Sequence, residues 1–186
     1  MSGRSLNKNV KLLATICLIM LAVHAVNIYL NGALNNFGIM PRNIYSLPFI
    51  YTTVFLHGSW AHLLNNLFGF IIFGSLCLLR GSRFFIGSSF FIITVTGLLI
   101  WLFGRQAVHI GASGWIFGLW SLSIAIAWFE RSFVNIVIAI FVVFFYGGMI
   151  YGVLPGDSTI SFEAHLFGAA SGVLYAWMTS KKKRIT

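Results

Sequence analysis

The sequence predicts an all-α polytopic membrane protein, a bundle of six transmembrane helices, on three observations. Aliphatic, aromatic and sulphur-containing side chains make up 59% of the 186 residues, while Lys, Arg, Asp and Glu together make up 8%. Soluble domains carry about 25% charged residues, and so few charges cannot cover a chain this small against water. The apolar residues fall in runs long enough to span a bilayer, and the basic residues cluster at the two ends of the chain and in short turns. The length suits one domain, taken as residues 1–186.

Each crossing needs about 20 apolar residues in a helix. Six segments qualify, approximately 12–30, 61–79, 84–103, 113–129, 133–154 and 164–178. The first follows Arg4, Lys8 and Lys11 and has no small-x-small cleavage site behind it, so it reads as a retained helix rather than a signal peptide. The third and fifth are plain apolar runs; the second, fourth and sixth are shorter or carry polar residues near one end. The long connection 31–59 is too apolar for an exposed loop and too broken by Pro41 and Pro48 for a seventh span. It is expected to lie partly in the outer interface as short helical pieces against the bundle. Pro155–Ser161, PGDSTIS, reads as a flexible connection into the last helix.

Six crossings put both termini on one side, and Lys181, Lys182, Lys183 and Arg184 after the last helix mark that side as cytoplasmic. Arg80, Arg83 and Arg131 fall in turns on the same side, which leaves Arg42 and Arg105 outside. The net charge of +9 therefore reports membrane orientation and lipid contact, not a nucleic-acid partner. Cys17 and Cys77 lie inside apolar runs and make neither a disulfide framework nor a zinc site. The five histidines include no HExxH arrangement, Asp157 and Glu163 fall at unrelated spacings, and no phosphate-binding glycine loop is present. No metal and no cofactor are expected.

Polar side chains within membrane helices are costly and point to function. Three clusters fall toward the predicted outer face. HGSWAHLLNN holds His57, His62, Asn65 and Asn66, with His62 and Asn66 one helical turn apart. HIGASG presents Gly111, Ser113 and Gly114 just before a helix, and EAHLFGAASG holds Glu163 and His165, then Gly168 and Gly172 in GxxxG spacing. A serine protease needs a hydroxyl, a base for its proton, and donors aimed at the developing oxyanion. Ser113 between small residues offers the hydroxyl, with Gly111 and Gly114 permitting a tight turn; His165 is the natural base. His62, Asn66 and the Ser113 amide at a helix start supply the donors. Each group also has a plain structural reading. Ser113 taken alone reads as a helix serine, and His62 and Asn66 read equally as ties between helices. His57 reads as support for the outer loop, and His24 and His109 stand outside the chemistry.

The order and spacing of these clusters resemble the rhomboid family of intramembrane serine proteases, which carry a six-helix core. The family's histidine, four residues, histidine, three residues and asparagine match His57, His62 and Asn66; its GxSG matches Gly111–Gly114; its alanine-histidine pair with following glycines matches Ala164, His165, Gly168 and Gly172. The resemblance implies a catalytic dyad of Ser113 and His165, an oxyanion site at His62, Asn66 and the Ser113 backbone, and an aromatic, Phe117, packed on the imidazole. A tryptophan-arginine pair of some relatives is absent from the first outer loop, although Arg42 lies there. Glu163, two residues before His165, points elsewhere on the helix and is not expected to complete a triad.

The expected function is intramembrane endopeptidase cleavage of transmembrane segments of membrane proteins. The expected location is a bacterial or archaeal cytoplasmic membrane, with the site toward the outer face. A non-catalytic relative that binds or escorts membrane helices is the competing class.

Overall fold

The computed structural model describes residues 3–156 and 160–185, with side chains described over 6–156 and 160–180. The side chains of Arg4 and Lys181–Arg184, and Asp157 within the PGDSTIS connection, lie outside the described residues. The chain is all-helical: α1 Gly3–Tyr29, α2 Trp60–Leu78, α3 Ser82–Phe103, α4 Ser113–Phe129, α5 Phe133–Tyr146 and α6 Phe162–Ile185. Three ranges differ from the sequence reading by more than two residues. The first helix begins well before residue 12, and the last runs past 178, because Lys and Arg are good helix formers and continue a helix after the apolar run stops. The fifth stops as an α-helix at Tyr146, where Gly147 and Gly148 loosen it into a 3-10 segment over Gly147–Val153.

Among the described residues, four helical stretches are long and apolar enough to cross a membrane: Leu6–Tyr29, Trp60–Leu78, Ser82–Phe103 and Phe133–Val153. Ser113–Phe129 is apolar but shorter, 17 residues, or about 25 Å against a hydrocarbon layer of ~30 Å. The fold is a multi-pass membrane bundle. Large apolar side chains such as Phe133, Phe144 and Trp128 stand on its outside, as a lipid solvent permits.

α4 is the axis. It is apolar all round, so it is buried on all sides, from Gly114 through Ile126 almost without interruption. Its main partner is α6, and the contact is backbone on backbone. A Cβ on Gly168 would overlap the Gly114 carbonyl, and one on Gly172 would overlap that of Gly118. Thus two GxxxG faces, Gly114–Gly118 and Gly168–Gly172, close on each other. Ser121 Oγ completes the seam by donating to the Ala169 carbonyl at 2.7 Å. α3 packs Ile92 and Thr96 against the same α4 glycines, and α2 sets Phe70 on Trp115, ring centroids 4.6 Å apart. α5 is peripheral, burying only Asn135 and Val142.

The polar links sort to the two ends. At one end Arg80, after α2, pairs with Glu130, after α4, and donates to Asn135 Oδ1 at 3.0 Å. Asn9 in the early turns of α1 and Thr179 in the late turns of α6 lie at this end too. At the other end the three remaining connections are sewn together. Residues 31–59 fold as 3-10 pieces at Ala33–Phe37, Ile44–Ile50 and Thr53–Phe55. Ile39 and His109 exchange two backbone hydrogen bonds of 3.0 and 2.8 Å. Arg42 donates to the Gly104 carbonyl at 3.0 Å, at the negative end of α3. Arg105 reaches the Ile160 carbonyl at 2.6 Å and pairs with Glu163 at 3.5 Å.

Candidate active site

All three polar clusters meet at this second end. Ser59 caps α2, its Oγ accepting from the His62 amide at 3.1 Å, so the helix starts where it turns His62 and Asn66 toward the centre. The chain enters α4 through Gly111, whose φ of +114° suits glycine alone. The Gly111 amide is held by the Thr53 carbonyl at 2.9 Å. A Cβ on Gly111 would sit 2.6 Å from His62 Nε2 and 3.4 Å from Asn66 Nδ2, so both α2 side chains press on the turn that delivers Ser113. Asn66 is buried, and its Nδ2 bonds no acceptor among the described residues. An unmet buried donor costs roughly 1–3 kcal/mol, which an acceptor present only during a reaction would offset.

From the other side, Ser161 caps α6 by accepting from the Ala164 amide at 3.2 Å. Gly114 lies against the Ala164 backbone, a Cβ there meeting its carbonyl at 3.0 Å. That contact brings His165 to α4. Its imidazole stacks on Phe117, one turn after Ser113, with centroids 4.0 Å apart and planes 5° apart. His165 Nδ1 donates to the Gly152 carbonyl at 2.9 Å. A carbonyl only accepts, so the neutral ring carries its proton on Nδ1 and its lone pair on Nε2. Among the described residues no hydrogen bond joins Ser113 to His165.

Ser113 lines a cavity of about 450 Å³ with Gly58, Ser59, His62, His109 and Ser161. The cavity contains a second serine-histidine contact that sequence reasoning did not find. Ser161 Oγ donates to His109 Nδ1 at 2.7 Å, and His109 Nε2 donates to the Arg105 carbonyl at 3.1 Å. Burial holds the His109 imidazole below its ordinary range, so it is neutral and able to accept at Nδ1. Ser161 is already the α6 cap, and His109 is bound into the Ile39 pairing. The contact is therefore a clasp between two connections. No spacing rule reveals a partner 52 residues away.

His57 is buried beside His62, ring centroids 5.1 Å apart, and its carbonyl accepts from His24 Nδ1 at 3.1 Å. It buttresses the outer connection. Burial pushes its pKa down to about 4, and the neighbouring His62 pushes the same way. Glu163 is committed to Arg105. Among the described residues no group of three or more His, Cys, Asp or Glu side chains is arranged to hold a metal.

Fold and site together define a multi-pass helical membrane protein whose serine, histidine and asparagine side chains converge at one end of the bundle. The Rhomboid domain model matches residues 43–182. Uncharacterized protein Rv1337 of Mycobacterium tuberculosis is 34% identical over 156 residues, covering 79% of this chain and 65% of that protein. Rhomboid-like protein 11, chloroplastic, of Arabidopsis thaliana is 35% identical over 147 residues, covering 70% of this chain and 51% of that protein. The chain belongs to the rhomboid family. It spans between about half and two thirds of the length of these relatives.

Proposed function

We propose that this protein is an intramembrane serine endopeptidase that cuts transmembrane segments of other membrane proteins, with Ser113 as nucleophile and His165 as general base. One observation carries the reading: the His165 ring is stacked on Phe117, one helical turn from Ser113, with Nδ1 occupied and the Nε2 lone pair left for the serine proton. Ser113 Oγ attacks the scissile carbonyl as Nε2 takes its proton. The resulting oxyanion is met by Asn66 Nδ2, His62 and the Ser113 amide at the positive end of α4. Collapse breaks the C–N bond, His165 returns the proton to the leaving amine, and an acyl-enzyme remains. Water, activated by the same imidazole, hydrolyses it.

The water arrives through the cavity beside Ser113. A helix inside a membrane has its amides hydrogen-bonded, so a substrate must unwind locally before it is cut. Substrates are therefore single-pass proteins with helix-breaking or small residues near that end of their span.

Six crossings complete the topology, residues 1–186 forming one membrane unit with both termini cytoplasmic and the site toward the outer face. The membrane is the cytoplasmic membrane of a bacterium or archaeon. The Arg80–Glu130 end, which gathers the early turns of α1 and the late turns of α6, supports this orientation.

The missing Ser113–His165 hydrogen bond favours the rival reading, a helix-binding relative without catalysis. Catalytic hydrogen bonds are often long in unoccupied sites and tighten on substrate. Reporter cleavage by the purified protein in lipid vesicles decides. Cleavage that disappears in folded S113A and H165A supports the protease; cleavage unchanged in S113A ends it.

A further inference from the structure

Resting on the dyad reading, we propose that the Gly152 backbone carbonyl is the third member of the catalytic set, the positioning group for His165 that a carboxylate supplies in a triad. The ring is fixed on a face and an edge. Phe117 covers the face, and Gly152 O holds Nδ1–H at 2.9 Å. Together they leave the ring one tautomer and one in-plane orientation, with Nε2 directed away from the 3-10 segment.

No described carboxylate is left for this task. The described acids are Glu130 and Glu163; the first is paired with Arg80 at the far end and the second with Arg105. A neutral acceptor also suits the surroundings. His165 is buried within an apolar bundle, where a second ionised group beside the ring would carry its own desolvation cost. A carbonyl orients the ring without adding a charge.

The residue type at 152 follows from the same contacts. A Cβ there would lie 2.8 Å from Phe117 Cζ and 3.4 Å from His165 Nδ1, so any side chain would push the stack apart or lift the carbonyl off the ring. Glycine is required for approach. The acceptor is carried by the Gly147–Val153 segment, which buries no residue, at the end of the least buried helix. The orientation of the base thus depends on how that segment is seated, and the device acts on turnover rather than on substrate binding.

The test uses the full chain in lipid vesicles with 15N-labelled histidine, the His165 signals being assigned by their loss in His165→Gln. The wild type should show the Nδ1–H tautomer at neutral pH. Gly152→Ala should lose the single tautomer and lower kcat by about 10- to 100-fold, with KM changed less than about 2-fold. Gly156→Ala is the control, since a Cβ there meets nothing and the residue lies beyond the 3-10 segment, and it should keep both tautomer and kcat.

An Nε2–H tautomer in the wild type overturns the proposal whether or not Gly152→Ala folds. Unchanged kcat in folded Gly152→Ala overturns it as well. The second result, in an enzyme that still needs Ser113 and His165, leaves the dyad standing; the first also removes Nε2 as the atom that takes the serine proton. A wild type that neither cleaves nor reacts with a serine-directed probe overturns the dyad reading, and this proposal with it.

Discussion

Gly114 and Gly168 touch through their backbones: a methyl group on Gly168 would occupy the space of the Gly114 carbonyl oxygen. Because Ser113 precedes one glycine and His165 lies three residues before the other, this contact fixes how far the two helices carrying the candidate dyad stand apart. Gly168→Ala should force α4 and α6 apart and cost on the order of 3 kcal/mol. The melting temperature in detergent should fall and cleavage with it, while Gly156→Ala, where a Cβ meets nothing, leaves both alone. A Gly168→Ala protein with an unchanged melt contradicts the packing described here.

Asn66 separates function from stability. Its buried amide donor has no described acceptor, so Asn66→Ala removes an unmet group along with a proposed oxyanion contact. Thermal stability should hold or rise slightly, while kcat falls by roughly 100-fold, as for loss of an oxyanion donor. If the main consequence is a lower melting temperature, Asn66 is a structural tie instead.

Stability should weaken in acid through His57. Its pKa in the folded protein is about 4, below its ordinary value of 6.5, so the unfolded chain binds more protons between those values. The contribution is complete above pH 6.5 and declines as the pH falls from there to about 4, by up to ~3 kcal/mol. His57→Gln should flatten that part of the stability profile measured by thermal or chemical denaturation. An unchanged slope would mean that another group carries it.

The far end of the bundle offers a control. Arg80 and Glu130 join two turns remote from Ser113, and Asn135 ties into both. Glu130→Gln should cost about 1–2 kcal/mol, since the pair is only partly shielded from solvent. Among molecules that remain folded, kcat should not move. A selective loss of kcat would show coupling between the two ends.

Much of this molecule is legible in its sequence. The ends of α4 coincide with those read from the residues, because GASG forces a turn before Ser113 and the apolar run ends at Phe129, before Glu130 and Arg131. The GxxxG of α6 is visible, and so is its counterpart Gly114–Gly118, although that spacing signals a helix contact without naming the partner helix. The break in α5 at Gly147 and Gly148 is not legible in this way, since the apolar run to 154 reads as one span. The links across distant connections are different. Ser161 with His109, Thr53 with Gly111 and Gly152 with His165 are set by how the connections fold over the bundle, and local periodicity carries no information about them.

Because one cavity is lined by both Ser113 and Ser161, the most direct test asks which serine reacts. The protein in lipid vesicles is treated with a fluorophosphonate probe, and the modified residue is located by mass spectrometry. With Ser113 as nucleophile the adduct forms on Ser113, is lost in S113A, is strongly reduced in H165A and is retained in Ser161→Ala. An adduct on Ser161, or labelling that persists undiminished in S113A, would contradict that role.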